Sequence, residues 1–442
     1  MRHRLLGAAF LVFSALSGPA ALAQEGLSAA MSAMRAGDWD EARTVAAMDG
    51  PVAEAIVEWT RLRNGRGSFA EYLAFLEAHG DWPGLSLLRR QGEEVIPEDA
   101  APDEVIRFFG DTRPQTGRGA RLLAAAYAAE GREADANIEV VIAWRTLVLT
   151  SADRRRFLEE FGDALEEHHT ARLDMLLWRG LTAEAEEMYR LVPADWRVLA
   201  EARIALREDR AGVDDLIAAV PDSLKDDAGM AYERFQWRAR RGRIDDAIQM
   251  LLQRSVSAEA LGEAERWGNR RRAYARDRMR DGAGESAYQI ASRHYLSEGR
   301  HFADLEWLSG YLALTYLDDP ELALDHFQRF RGAVWTPISL GRAGYWIGRA
   351  HEALGDNAAA KVAYREGAQY QTSFYGQLAA EKAGVAMDPR LAVPPEVENW
   401  QEAGFADSDV FAAARLFHGA GQRGRAEQFL GHLAEEIVAE ED

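Results

Sequence analysis

The sequence predicts an all-α protein built as a superhelical solenoid of helical hairpins, tetratricopeptide-like but irregular. Three observations carry that prediction. The chain is rich in alanine and poor in valine, isoleucine and threonine, a balance that favours helix because unbranched side chains lose less rotamer freedom there. Apolar residues recur at the 3.6-residue period, with no sustained period-two alternation. Short glycine-centred breaks separate the periodic runs. With 442 residues, 48% of them hydrophobic and 28% charged, there is enough apolar material for a core, which excludes a disordered polymer.

The first element is a leader. Arg2, His3 and Arg4 precede an apolar run from Leu5 to Leu16, and Ala21-Leu22-Ala23 follows. A positive start, a short apolar stretch and small residues at a cleavage point make a secretory signal peptide over residues 1–23. Cleavage is expected near Ala23, leaving an exported chain that starts near Gln24. The apolar run is shorter than the ~20 residues a spanning helix needs, so no membrane anchor is expected. The chain has no cysteine, which removes disulfides, thiolate metal sites and a lipid-modified N-terminal cysteine. Its net charge of −20 disfavours nucleic acid as a partner.

Residues 24–386 form the predicted superhelical domain. "AEGREADANI", "WRGLTAEAEEMYRLV", "RRGRIDDAIQMLL" and "ALGDNAAAKVAYREG" share one layout: a helix end, a glycine, polar residues, then an alanine opening the next apolar stripe. Glycine takes the left-handed conformation that closes a helix, and a small alanine lets antiparallel helices approach. The turn glycines Gly131, Gly180, Gly242, Gly299, Gly355 and Gly421 lie 49 to 66 residues apart, which excludes a strict 34-residue tetratricopeptide array. In "RAGYWIGRAHEALG" the residues Ala343, Trp346, Ile347, Ala350, Ala353 and Leu354 make one continuous helical stripe. Such a hairpin cannot bury its stripe alone, so neighbours must stack into a curved solenoid. A loop region is expected from Ile96 to Gly119. "MDPRLAVPPEVENW" (Met387 to Trp400) holds three of the 13 prolines and should end the solenoid. Residues 387–442 then read as a proline-rich linker and the start of a helical linker domain.

Signals for chemistry are sparse. His168 and His169 are adjacent and point about 100° apart on a helix, a poor arrangement for sharing a metal. Neither a phosphate-cradling glycine loop nor a G-x-S-x-G elbow occurs. No catalytic residue, cofactor or metal is expected. "RWGNRRRAYARDRMR" (Arg266 to Arg280) carries seven arginines with Trp267 and Tyr274 interleaved. One reading is arginine-to-carboxylate pairing within the solenoid. The other is a positive surface for an anionic polymer outside the cytoplasm, with Arg270, Arg271 and Arg272 as candidate contacts.

"WGNRRRAYARDRM", "SAYQIASRHYLSEGRHFADLEWLSGYLALTYLDDPELALDHFQRF", "TPISLGRAGYWIGRAHEALGD" and "YQTSFYGQLAA" occur in that order between Trp267 and Ala380. This region resembles the superhelical part of the soluble lytic murein transglycosylases, and the preceding repeats and leader fit loosely. The resemblance implies a ring- or horseshoe-like array of hairpins, then a linker domain and a lysozyme-like catalytic domain. It also implies peptidoglycan as partner, with cleavage of the β-1,4 bond between N-acetylmuramic acid and N-acetylglucosamine to form a 1,6-anhydro ring. The family's catalytic signature is a glutamate-serine pair followed by a G-L-M-Q-like run. Here Glu285-Ser286 is the single such pair and no such run follows, so it is expected to serve a helix start. The chain is expected to stop within the linker domain, lacking the catalytic domain and inactive alone. By the same resemblance, "YQTSFYGQLAA" falls near the end of the array. Phe374, Tyr375, Gly376 and Gln377 are therefore either ordinary helix packing or a docking seam for the chain's own catalytic domain. A runner-up function is an exported helical-repeat scaffold that binds a protein partner.

Overall fold

Capping chemistry sets many of the element boundaries. Ser68, Thr116, Thr150, Asp319, Thr336, Asp356, Ser373 and Ser408 each accept a backbone N–H from the first turn of the helix they precede, satisfying donors that have no intrahelical partner. The computed structural model describes residues 25–392 and 400–440. The predicted leader and part of the proline-rich stretch lie outside these. Every regular element among the described residues is a helix, so the chain is all-α, as expected. All six turn glycines named above adopt positive φ, from 71° to 85°.

The chain divides into two compact units, His169–Pro395 and the residues on either side of that segment. The flanking unit begins with α1 (Glu25–Ala36), α2 (Trp39–Ala46), α3 (Pro51–Arg63), α4 (Phe69–Ala78), α5 (Leu85–Glu93), α6 (Pro102–Phe109), α7 (Gly117–Ala129), α8 (Glu133–Thr146) and α9 (Ser151–Leu165). The central unit holds α10 (His169–Arg179), α11 (Thr182–Glu187), α12 (Ala194–Glu208), α13 (Val213–Ala219), α14 (Ala228–Arg240), α15 (Ile244–Arg254), α16 (Ala258–Leu261), α17 (Ala264–Arg280), α18 (Gly284–Ser292), α19 (Gly299–Tyr316), α20 (Pro320–Gly332), α21 (Pro337–Ala353), α22 (Asn357–Gly367) and α23 (Phe374–Ala383). The flanking unit ends with α24 (Asp409–Gly419) and α25 (Arg423–Glu440).

The flanking unit departs from the sequence reading, which set residues 387–442 apart as a linker domain. The α24–α25 hairpin packs instead on α3. Trp59 meets Phe429 and Phe417 edge-on, with ring centroids 5.4 and 6.2 Å away, and Trp82 meets Phe429 at 5.3 Å. Arg63 and Arg425 both lie over the Trp59 ring, at 4.2 and 5.1 Å, and the indole donates to the Pro83 carbonyl at 3.0 Å. Burying one such tryptophan stabilises by about 5 kcal/mol. The expected loop from Ile96 to Gly119 also contains structure, since α6 forms inside it. Buried Glu93 accepts the backbone N–H groups of Gln115 and Thr116, at 2.9 and 2.7 Å, and so fixes the entry to α7.

In the central unit, α17 to α23 stack in chain order, each helix against the next, while α17 also meets α19 and α21 meets α23. This is the solenoid arrangement. The stripe predicted on α21 is buried at Ala343, Trp346 and Ala350 but not at Ala353 or Leu354, which are exposed. A second buried face compensates. Gly341, Gly344 and Gly348 line it, and a Cβ on Gly344 would come within 2.5 Å of the Gly367 backbone. Backbone cannot yield as a side chain does, so α21 and α22 touch where only glycine fits.

Two outcomes test this packing. Phe429→Ala should cost about 3–5 kcal/mol in urea unfolding, because it opens a cavity against Trp59 and Trp82. Gly344→Val should cost about 1–3 kcal/mol through overpacking, whereas Gly424→Ala, whose Cβ meets no neighbouring atom, should leave the midpoint within about 0.5 kcal/mol.

Candidate functional site

The arginine-rich helix α17 divides its charges unequally. Arg271 is 0% exposed and donates to the Ile290 carbonyl at 2.8 Å and to Ser255 Oγ at 2.6 Å. Burial pulls its pKa down to about 9. Arg271 is therefore a strut between α15, α17 and α18, not a contact for a polymer, which corrects the sequence reading. Arg270 bonds Gln236 at 2.8 Å. Arg272 is spent on Asp304 of α19. Arg266, Arg278 and Arg280 pair with Glu263, Asp245 and Asp277. Arg276, half-buried, is the one arginine of α17 with neither an ion pair nor a hydrogen bond among the described residues.

The four seam residues separate similarly. Gly376 is buried, and a Cβ there would lie 1.9 Å from the Tyr370 carbonyl oxygen, so the backbone it admits belongs to its own turn. Tyr375 packs against Tyr345 and Trp346, at 5.4 and 6.2 Å. Gln377 is exposed and donates to the Gln371 carbonyl at 3.1 Å. Phe374 is 69% exposed. Packing thus claims Tyr375 and Gly376, leaving Phe374 and Gln377 at the surface.

A constellation that the sequence reading did not assemble lies between these two regions. The first helices of successive hairpins, α17, α19 and α21, together with α23, bring Trp307, Tyr311, Arg342, Tyr345 and Tyr375 together, while Arg276 lies one turn beyond the Arg272 that bonds Asp304, as Trp307 lies one turn beyond Asp304. Trp307 and Tyr311 stack with centroids 5.7 Å apart and planes 22° apart, and Trp346 meets them edge-on at 6.1 and 5.2 Å. The Arg342 guanidinium lies over both Trp307 and Tyr375, at 5.0 and 5.5 Å. Such cation–π contacts hold a charge in place without neutralising it. Arg342 has no carboxylate partner among the described residues, and its Nε, like Trp307 Nε1 and Trp346 Nε1, has no acceptor. Burial first, then repulsion from Arg272, Arg342 and Arg280, pushes the Arg276 guanidinium below its usual pKa, with Asp304 opposing. A signal for part of this was present: Arg342, Tyr345 and Arg349 fall at i, i+3 and i+7, and Trp307 and Tyr311 at i, i+4.

Glu306 forms a separate buried knot. It accepts from His294 at 3.1 Å, His326 at 2.6 Å and Arg329 at 3.0 Å, while the Leu296 N–H bonds His294 Nδ1 and the Tyr288 hydroxyl bonds His326 Nε2. Burial alone would raise its pKa. The donors from His294, His326 and Arg329 outweigh burial and hold the carboxyl down at about 2. A carboxylate so committed is a poor general acid at neutral pH, and it ties the loop after α18 to α19 and α20. Glu285 is exposed in the first turn of α18, the helix-start position expected for it.

No protein-family model matches this chain, and no curated protein matches it. Among solved structures it is similar to the crystal structure of the APC/C hetero-tetramer Cut9-Hcn1, with 12% identity over 96% of this chain and 98% of that one. The TM-score is 0.23, too low to carry an inference. The fold class rests on the helices themselves.

Arg271→Ala should cost about 3 kcal/mol by leaving a buried cavity, while Arg270→Ala and Arg272→Ala should each cost under about 1 kcal/mol, as partly exposed pairs do; urea unfolding of the three variants decides it. Glu306, with its pKa depressed in the folded chain, contributes stability that is present above the ordinary carboxyl pKa and lost as pH falls from about 4.5 towards about 2. Thermal melts should show that loss in the parent chain, and Glu306→Gln should abolish that part of the profile while lowering stability at pH 7 by about 3 kcal/mol.

Proposed function

We propose that this chain is a helical-repeat binding scaffold, exported to the periplasm, whose ligand is the glycan strand of peptidoglycan. One observation carries the binding role: the stacked hairpins gather aromatic rings and unpaired arginines on adjacent helices. Aromatic faces stack on the apolar faces of sugar rings, and guanidinium groups pair with the carboxylates such strands bear. The resemblance of residues 267–380 to the superhelical part of soluble lytic murein transglycosylases supports peptidoglycan as the polymer. On this reading the scaffold holds a strand in place for a catalytic domain, and its contribution to cleavage is positioning.

A second reading is favoured by a different observation. Trp335, Ile338 and Phe374 are 80%, 64% and 69% exposed, at the N-terminal ends of α21 and α23, which meet where Gly341 approaches Ser373 and Gly376. Large apolar side chains left in water mark protein-binding surfaces. That reading makes the chain a scaffold for a protein partner.

Co-sedimentation of the purified chain with insoluble murein separates the two. The glycan reading expects the chain in the murein pellet, absent from a cellulose pellet, with no 1,6-anhydromuropeptides released. Failure to co-sediment sinks it, and release of anhydromuropeptides by this chain alone sinks the noncatalytic role.

A further inference from the structure

We infer that Arg342, held between Trp307 and Tyr375, forms with Arg276 a recognition site for a carboxylate carried on a saccharide. The oxyanion part of this inference stands on the geometry; the saccharide part rests on the proposed glycan-binding function.

The argument begins with charge. On a chain of net charge −20, carboxylates are abundant, and six of the seven arginines of α17 have taken an acceptor. Arg276 has not. Among the described residues Arg342, which repels it, has none either, although both are half-buried, where repulsion between like charges is less screened than in water. Asp304, whose attraction for Arg276 opposes that repulsion, is itself engaged by Arg272. Two cations that repel each other near one carboxylate, itself already bonded by a third, are an arrangement that an incoming anion stabilises.

The aromatic frame narrows the ligand. Arg342 is held between the faces of Trp307 and Tyr375, so its orientation is set before anything binds. A ring with one apolar face suits the partly exposed faces of Trp307 and Tyr375. A carboxylate attached to a sugar ring combines these features. A bare inorganic anion offers only the charge.

The test is calorimetric titration of the whole chain with the disaccharide N-acetylglucosaminyl-N-acetylmuramic acid, whose lactyl group carries a free carboxylate, and with the same disaccharide reduced there to the alcohol. Binding of the acid should weaken at least tenfold in Arg276→Gln and in Arg342→Gln, should be weak for the alcohol in every chain, and should be unchanged in Arg270→Gln. Arg342→Lys should recover part of the loss, since it restores charge without the planar fork. Should Arg342→Gln fail to fold, Arg276→Gln decides the matter alone. Equal binding of acid and alcohol, or no effect of Arg276→Gln, overturns the site. Displacement of the disaccharide by an equal concentration of inorganic phosphate overturns the saccharide part, as does tighter binding of an acidic peptide. Murein co-sedimentation that survives Arg276→Gln and Arg342→Gln would sink this site and leave the broader function standing. A chain that binds the acid disaccharide but not murein would do the reverse.

Discussion

The close approach of α21 to α22 and α23 is the constraint on which the candidate site depends. Gly341, Gly344 and Gly348 remove side chains from one face of α21, so that Gly367 and the Ser373–Gly376 turn come into backbone contact with it. That approach presses Tyr375 onto Tyr345 and Trp346. It also leaves Arg342, on the adjoining part of α21, only the gap between Trp307 and Tyr375. A side chain at Gly344 would push α22 outward, and the frame around Arg342 would loosen with it. Packing at a site without polar atoms therefore sets the geometry of the charged one.

A second theme is how an acidic chain deploys its arginines. Several act as internal struts. Arg203, 1% exposed, reaches Asp174 at 2.5 Å and Asp227 at 3.4 Å, Arg207 pairs with buried Glu233, and Arg121 bonds Glu98 at 2.6 Å. Arginine suits this work because its planar fork bonds several acceptors while its stem packs as an apolar group. Arg271 goes further, since among the described residues its acceptors are a hydroxyl and a carbonyl oxygen. Against that background a run of arginines in the sequence is weak evidence for a basic surface, and the unpaired exceptions carry the information.

How much was legible in the sequence depends on range. Local features were readable: the helices, the positive-φ glycines and the start of α18 at Glu285 all follow from propensity, capping and backbone sterics. Arg271 was readable in principle. Trp267, Arg271, Tyr274 and Ala275 fall at i, i+4, i+7 and i+8, and all four are buried, so its place in the apolar stripe betrays it. Position along the chain could not reveal that α24 and α25 return to Trp59, because that contact spans more than 350 residues and depends on shape complementarity among aromatic rings. Nor could it show that Arg276 and Arg342, 66 residues apart, become neighbours. That requires the stacking of three hairpins, whose register no local pattern encodes.

Net charge and local charge act on a ligand at different ranges, so the proposed binding of an anionic strand is compatible with an acidic chain. At physiological salt the field of the whole chain is screened over about 8 Å, so a strand beyond that distance feels little of the −20 total. Within contact distance the partners are individual groups. There, a half-buried guanidinium held between aromatic faces, as Arg342 is, interacts through a lower dielectric than surface carboxylates do, and would dominate what an incoming carboxylate meets. Under the proposed function, the acidic surroundings would discourage non-specific adsorption of other polyanions, and affinity would be concentrated at Arg276 and Arg342. A uniformly basic surface would bind more strongly and discriminate less.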